Sequence, residues 1–285
     1  MARKDTPAER IILLTAGESG SGKSFFVACL RNALIFDTDI GGGLAAYDRR
    51  IAGNGSERVE VGSYLDIIDE LAKRRQHLQG ITTLAIDHLS TLQQEAVIRH
   101  NPQFQENTFG REHDRANKEW RKIRDLVRWG DFNLVCTAHL KAQYANKQQV
   151  GMTADASKNI AGDFHVYLQL HGTASGGPAQ AKVVKWRRDP EDARGPVPQS
   201  FRYTVEEFTR INGAGFNHQR QQVAMASTEQ VAEVERLLAI VKLPDGVVEK
   251  WLSKAKADSF AEFTADAIAK CIAHMNSLIK GEKHE

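Results

Sequence analysis

Eight residues, Gly17-Glu18-Ser19-Gly20-Ser21-Gly22-Lys23-Ser24, stand between two apolar runs, IILLTA and FFVACL. Few folds accommodate that arrangement. Glycines let the backbone wrap with its N–H groups inward, and a lysine and a hydroxyl at the start of a helix complete a cradle for phosphates. Gly17, Glu18, Ser19, Gly20, Ser21, Gly22, Lys23 and Ser24 are therefore expected to hold a nucleotide, ATP with Mg²⁺. Lys23 would reach the β- and γ-phosphates, and Ser24 would place its hydroxyl on the metal. The loop needs a buried strand before it and a helix after it, which commits this part of the chain to an α/β layer fold.

The rest of the N-terminal two thirds agrees. Short apolar runs at Ile11–Ala16, Ala33–Phe36, Thr83–Ile86 and Asn133–Thr137 read as buried strands. Helical patterns lie between them, from Lys23 to about Asn32, over Tyr64–Leu78 and over Asn117–Trp129. Alternation of strand and helix predicts a mostly parallel sheet. After Phe164 the pattern changes to strands joined by Gly/Pro-rich turns, at Phe164–Leu170, Ala181–Trp186 and Ser200–Thr204, expected to extend the sheet in antiparallel fashion. Residues 206–226 are polar and read as a linker between a core at 1–205 and a small helical bundle at 227–285. Leu237, Ile240, Trp251, Phe263, Ile268 and Leu278 are among the residues expected to form the bundle's core.

Three further residues follow from the strand ends. Asp87 closes the run TLAID, where a nucleotide site needs a carboxylate for the Mg²⁺ shell. IFDTD closes the second strand at Asp37 and Asp39, and Asp39 is placed to polarise a water for in-line attack. His139 follows LVCTA and can donate a hydrogen bond to the γ-phosphate.

Composition excludes several classes. The 38 basic and 36 acidic residues give a net charge of +2, so any nucleic-acid surface must be local. Three cysteines, Cys29, Cys136 and Cys271, have neither metal-ligand nor disulfide spacing, which fits a reducing cytoplasm. The start, MARKDTPAER, lacks a signal-peptide core, and no apolar run is long enough to span a membrane.

With these elements in order, the chain resembles the RecA-like recombinase ATPases over about residues 10–205, and among them the short phage Sak-type single-strand annealing ATPases. The resemblance implies a RecA-like P-loop NTPase fold, with Asp39 as the hydrolytic acid where the family usually has Glu. It implies Asp87 as the Mg²⁺ acid and His139 as a γ-phosphate sensor where the family usually has Gln. The stretch KVVKWRR resembles a family strand whose basic residues reach a neighbour's ATP, so Lys185 and Arg187 would act across a subunit interface of a homo-oligomer, filament or ring. Two long loops, about His100–Arg115 and Lys141–Lys158, correspond to segments that bind single-stranded DNA, with Phe104, Arg111, Arg115, Lys141, Tyr144, Lys147 and Lys158 as contacts. The location implied is the cytoplasm, the host's if the protein is phage-encoded. The C-terminal helices either recruit a partner such as a single-strand-binding protein or pack on the core.

Other readings compete. A loader or motor ATPase of AAA+ type would not need single-stranded DNA for turnover. A small-molecule kinase would want a basic lid, and the turns after residue 172 are poor in arginine until Arg187. A partition ATPase would commonly carry lysine early in the loop, where this chain has Glu18. A nucleotide-binding scaffold would tolerate loss of Asp39.

Overall fold

The computed structural model describes residues 10–39, 43–74, 78, 80–103, 110–145, 148–172, 179–188, 194–213, 215–216, 226–241, 243–244, 246–255, 257 and 259–279. By packing, the described residues through 216 make one compact unit and those from 226 onward another.

The first unit is built on an eight-stranded sheet. Its strands are β1 (Ile12–Gly17), β2 (Ala33–Asp37), β3 (Glu57–Glu60), β4 (Thr83–Asp87), β5 (Asn133–Ala138), β8 (Val166–His171), β9 (Gln180–Trp186) and β10 (Ser200–Arg202). They lie in the order β10-β9-β8-β1-β5-β4-β2-β3. The six from β8 to β3 run parallel, while β9 and β10 are antiparallel additions at one edge. The fold is a mixed α/β P-loop NTPase fold with a mostly parallel sheet. Among the described residues, β6 (Leu140–Ala145) and β7 (Gln148–Ala154) pair only with each other, as an antiparallel hairpin.

The central strands are apolar throughout because both faces are covered. Side chains alternate between faces. Leu14, Leu34, Phe36, Leu84, Ile86, Leu134 and Cys136 enter one core, with α3 (Tyr64–Lys73), α4 (Leu89–His100) and α5 (Arg111–Trp129). Leu13, Ala33, Ile35, Ala85, Val135 and Leu168 enter the other, with α1 (Lys23–Ala28), α2 (Asp48–Gly53) and α7 (Val205–Asn212). Trp120, fully buried, seats α5 against Tyr64 and Phe164 and donates its indole N–H to Asp163 at 2.9 Å. On the other face Phe26 stacks on Tyr203 at 4.4 Å and meets Phe208 and Phe216 edge-on, anchoring α1 behind the phosphate loop.

Some expectations change. The helix after the loop ends at Ala28 rather than near Asn32, since Asn32 takes a left-handed turn (φ 49°) into β2. Residues 205–212, expected largely within a linker, form α7, capped by Thr204 and burying Phe208 and Ile211. Phe216 then accepts hydrogen bonds from Thr82, Thr83 and Asn133 on its carbonyl, pinning this segment to the sheet.

The second unit contains α8 (Thr228–Ile240), α9 (Val247–Ala255) and α10 (Ala265–Ile279). Ser227 and Gln230 form a reciprocal cap on α8. Val234, Leu237, Phe263, Ile268, Cys271 and Met275 are buried, while Ile240 and Leu278, expected in that core, are exposed. Among the described residues, no helix is long and apolar enough to cross a membrane.

Candidate nucleotide site

The C-terminal ends of β1, β2, β4 and β5 carry the residues singled out in the sequence. β5 lies between β1 and β4, so the phosphate-loop strand and the Asp87 strand are one strand apart. A crevice beyond these strand ends is where open α/β sheets take ligands.

The loop closes on itself through Lys23. Its ammonium, buried, donates to the carbonyls of Gly17 and Glu18 at 2.8 Å each and to the Ser21 hydroxyl at 3.4 Å. Burial lowers its pKa, opposed by the charge of Asp87. Gly20 and Gly22 adopt φ of 77° and 84°, which side chains disfavour. Nothing lies within 4 Å of the place a Cβ would take on either, so the loop backbone is open to close approach. Ser24 follows in the first turn of α1.

Asp87 and Asp37 stand side by side, paired in register at the ends of β4 and β2. Asp87 is buried, and its Oδ1 accepts the Thr137 hydroxyl at 2.5 Å. That hydroxyl in turn accepts the His88 N–H at 2.8 Å, while Thr38 donates to the Asp87 carbonyl at 2.8 Å. Asp87 is therefore fixed from β5 and from the segment after β2. Asp37 is fully buried too. Its Oδ2 accepts from Arg58 at 3.1 Å and its Oδ1 accepts the Asp39 N–H at 3.0 Å. Burial pushes the Asp37 carboxyl up, against the hydrogen bonds from the Asp39 N–H and Arg58. Of the two acids in IFDTD, Asp37 shapes the backbone and Asp39 lies beyond it, its Oδ2 3.2 Å from the place a Cβ on Gly43 would occupy.

His139 is the single residue between β5 and β6. Its N–H donates to the Ser90 hydroxyl at 2.9 Å, and its ring centre lies 4.7 Å from that of His88. Burial, then the charges of His88 and Lys23, lower its pKa, and in either protonation state the ring keeps an N–H to donate. Lys23, Asp87 and His139 thus share one electrostatic neighbourhood.

Sequence reading missed an aromatic cluster beside the loop. Phe25, directly after Ser24, is 44 % exposed, meets Tyr47 edge-on at 5.7 Å, and lies under the Arg50 guanidinium at 5.0 Å. The sequence shows only an FF pair after Ser24, and the exposure of Phe25 emerges on folding. Thr137, Ser90 and Thr38 were missed as well, since only folding brings them to the acids.

Other expected contacts lie apart. Lys185 and Arg187 both donate to the Gly162 carbonyl, at 3.0 and 3.2 Å, near the end of α6 (Lys158–Asp163) in the same chain. The segment expected as a loop at 141–158 is mostly the β6–β7 hairpin, with Tyr144 65 % exposed and Lys141 paired to Asp155 at 3.0 Å. Lys158 opens α6, and Lys147 lies outside the described residues. Arg111 and Arg115 belong to α5 rather than to a loop, because Gly110 starts that helix; Phe104 lies outside the described residues. Arg111, Arg115, Lys118 and Lys122 recur at helical spacing and are all exposed, making a basic ridge.

The residues present fit a nucleotide with Mg²⁺. Among those described, no group of three or more His, Cys, Asp or Glu side chains is placed to hold a metal by itself. Mg²⁺ is ordinarily held by one or two protein ligands together with substrate phosphates, the role open to Ser24 and Asp87. No curated protein matches the chain. Residues 9–188 match the family described as AAA domain, which spans the sheet from β1 through β9 and every residue of the site. The chain belongs to that family of P-loop ATPases.

Proposed function

We propose that the protein hydrolyses ATP to control its grip on single-stranded DNA, as an annealing or recombination ATPase acting as an oligomer. The observation that carries this reading is the position of His139. One residue joins the nucleotide-side strand β5 to the exposed hairpin, and its carbonyl accepts the N–H of Asp155, just after β7, at 2.7 Å. Both strands of the hairpin are thereby tied at their base to a residue beside Lys23 and Asp87.

In this reading ATP with Mg²⁺, when bound, supplies the phosphoryl group that is transferred to water. Lys23 exchanges its loop carbonyls for phosphate oxygens, Ser24 and Asp87 hold the metal, and Asp39 accepts a proton from the attacking water. His139 would donate its ring N–H to the terminal phosphate and shift with it, an electrostatic event with a distant readout. Phe25, Tyr47 and Arg50 offer a surface for stacking the base. Tyr144 offers a stacking platform for a DNA base, and the α5 ridge offers cations for its backbone. Lys185 and Arg187 would release the Gly162 carbonyl to reach a neighbouring subunit's nucleotide.

The test is ATP hydrolysis with and without single-stranded DNA, with Lys23→Ala as control. Stimulation by single strands, abolished in the variant, supports the proposal. Turnover indifferent to DNA moves the assignment to a loader or motor ATPase, the second reading.

A further inference from the structure

Arg58 lies on β3, the edge strand, opposite Ile35 in register. Its guanidinium donates from Nε and Nη2 to Asp48 at 2.8 and 3.3 Å, and from Nη1 to Asp37 Oδ2 at 3.1 Å and Glu60 Oε1 at 2.9 Å. Asp37 and Asp48 bracket the segment 38–47, in which Asp39 lies. One fork therefore ties the entry and the exit of that segment to the sheet edge. The tie continues inward, because the second oxygen of Asp37 holds the Asp39 N–H at 3.0 Å.

A cation needed only to neutralise Asp37 would require one bond. Here the fork is shared between two chain positions eleven residues apart, which an ammonium on a flexible stem does not reproduce. Its side chain is 16 % exposed while those of Asp48 and Glu60 are 54 % and 71 % exposed, so the bond that is shielded from water is the one to Asp37. We propose that Arg58 is a positioning residue for ATP hydrolysis: it sets the place of Asp39 by clamping both ends of the segment that carries it. The inference rests on the ATPase reading and on Asp39 as its hydrolytic acid.

The clamp is tested with Arg58→Lys and, since Asp48 is exposed and its loss leaves the Asp37 bond in place, with Asp48→Asn. The expected result is a fall in kcat of about tenfold or more in Arg58→Lys, as for a lost supporting hydrogen bond, and a smaller fall in Asp48→Asn. Affinity for Mg-ADP should stay within about twofold, because the phosphate loop is untouched. Arg58→Lys added to Asp39→Asn should cost nothing further, since both act through one carboxylate. Amide exchange should quicken in peptides covering residues 37–48 and not in those covering 17–24. Unchanged kcat, a full further loss in the Asp39→Asn background, or a parallel loss of Mg-ADP affinity would overturn the proposal. If the wild-type protein hydrolyses no ATP, the ATPase reading falls. Exchange then decides the clamp alone, upheld by quickening confined to 37–48 and overturned by its absence.

Discussion

Thr137 shows how much of the site hangs on residues without charge. Its hydroxyl donates a hydrogen bond to Asp87 and accepts one from the His88 backbone N–H, all at the buried end of β5. Thr137→Val keeps the shape and removes both bonds. Hydrolysis should fall by about 10- to 100-fold with a raised Mg²⁺ requirement, and stability to urea should drop by about 1–3 kcal/mol. A Mg²⁺ titration of turnover, beside a urea curve, checks both; an unchanged Mg²⁺ dependence would exclude Asp87 as the metal's carboxylate. Lys23, Ser24 and Asp87 were legible in the sequence because each is read against its immediate neighbours: a loop string for the first two, an apolar strand ending in acid for the third. Thr137, Phe25 and Arg58 were not, for their partners lie on other strands or helices.

Between elements, the α4–α5 contact centres on Glu119. Arg99 donates to both its oxygens, at 3.1 and 2.7 Å, and His100 meets it at 2.8 Å. Burial alone would push the Glu119 carboxyl up, but Arg99 and His100 hold it below the ordinary value of 4.5. A carboxyl lowered on folding contributes stability above its unfolded pKa and loses it as pH falls through the folded one. Glu119→Gln should thus be less stable than wild type by about 1–3 kcal/mol at pH 7, and the gap should close as pH drops below 4.5. Denaturant curves across that range measure it; a gap independent of pH would mean the loss is packing rather than charge. The hairpin makes a second prediction. Tyr144→Ala should weaken binding of a fluorescent single strand by about 1–3 kcal/mol, the worth of one stacked base, with the melting temperature unchanged because the ring is 65 % exposed. Equal affinity would place the DNA elsewhere. The hairpin escaped sequence reading because the described stretches KAQY and QQVGMT bury no side chain fully, so they lack the apolar alternation that marks a half-buried strand. Its two strands are specified mainly by each other.

For the whole molecule, a net charge of +2 confines the proposed DNA binding to a local surface. Engagement of Arg111, Arg115, Lys118 and Lys122 on α5 predicts that log affinity for single strands falls with log salt at a slope of about −3, and that Arg115→Ala lowers its magnitude by about 0.7. A slope near zero, read by anisotropy from low to high salt, would remove the ridge from the interface. All residues assigned to the nucleotide lie in the first compact unit. A chain ending after residue 220 is therefore expected to keep Mg-ADP affinity within about twofold of the whole protein, as isothermal titration can show.

The sequence by itself determined the phosphate loop, the buried parallel strands and the acids at their ends. Those features are local: a glycine pattern needs particular backbone angles, and a strand covered on both faces must be apolar along its length. Tertiary structure alone decided that β5 separates β1 from β4, that Asp37 is a buried anchor while Asp39 lies beyond it, and that Arg58 reaches both ends of one segment. It also decided that a polar stretch becomes α7, whose Phe208 and Ile211 gain their meaning only against a core assembled from strands far away in the chain. Strand order and long-range ion pairs depend on which elements meet. That is set by the summed burial of the whole core, which no window of neighbouring residues contains.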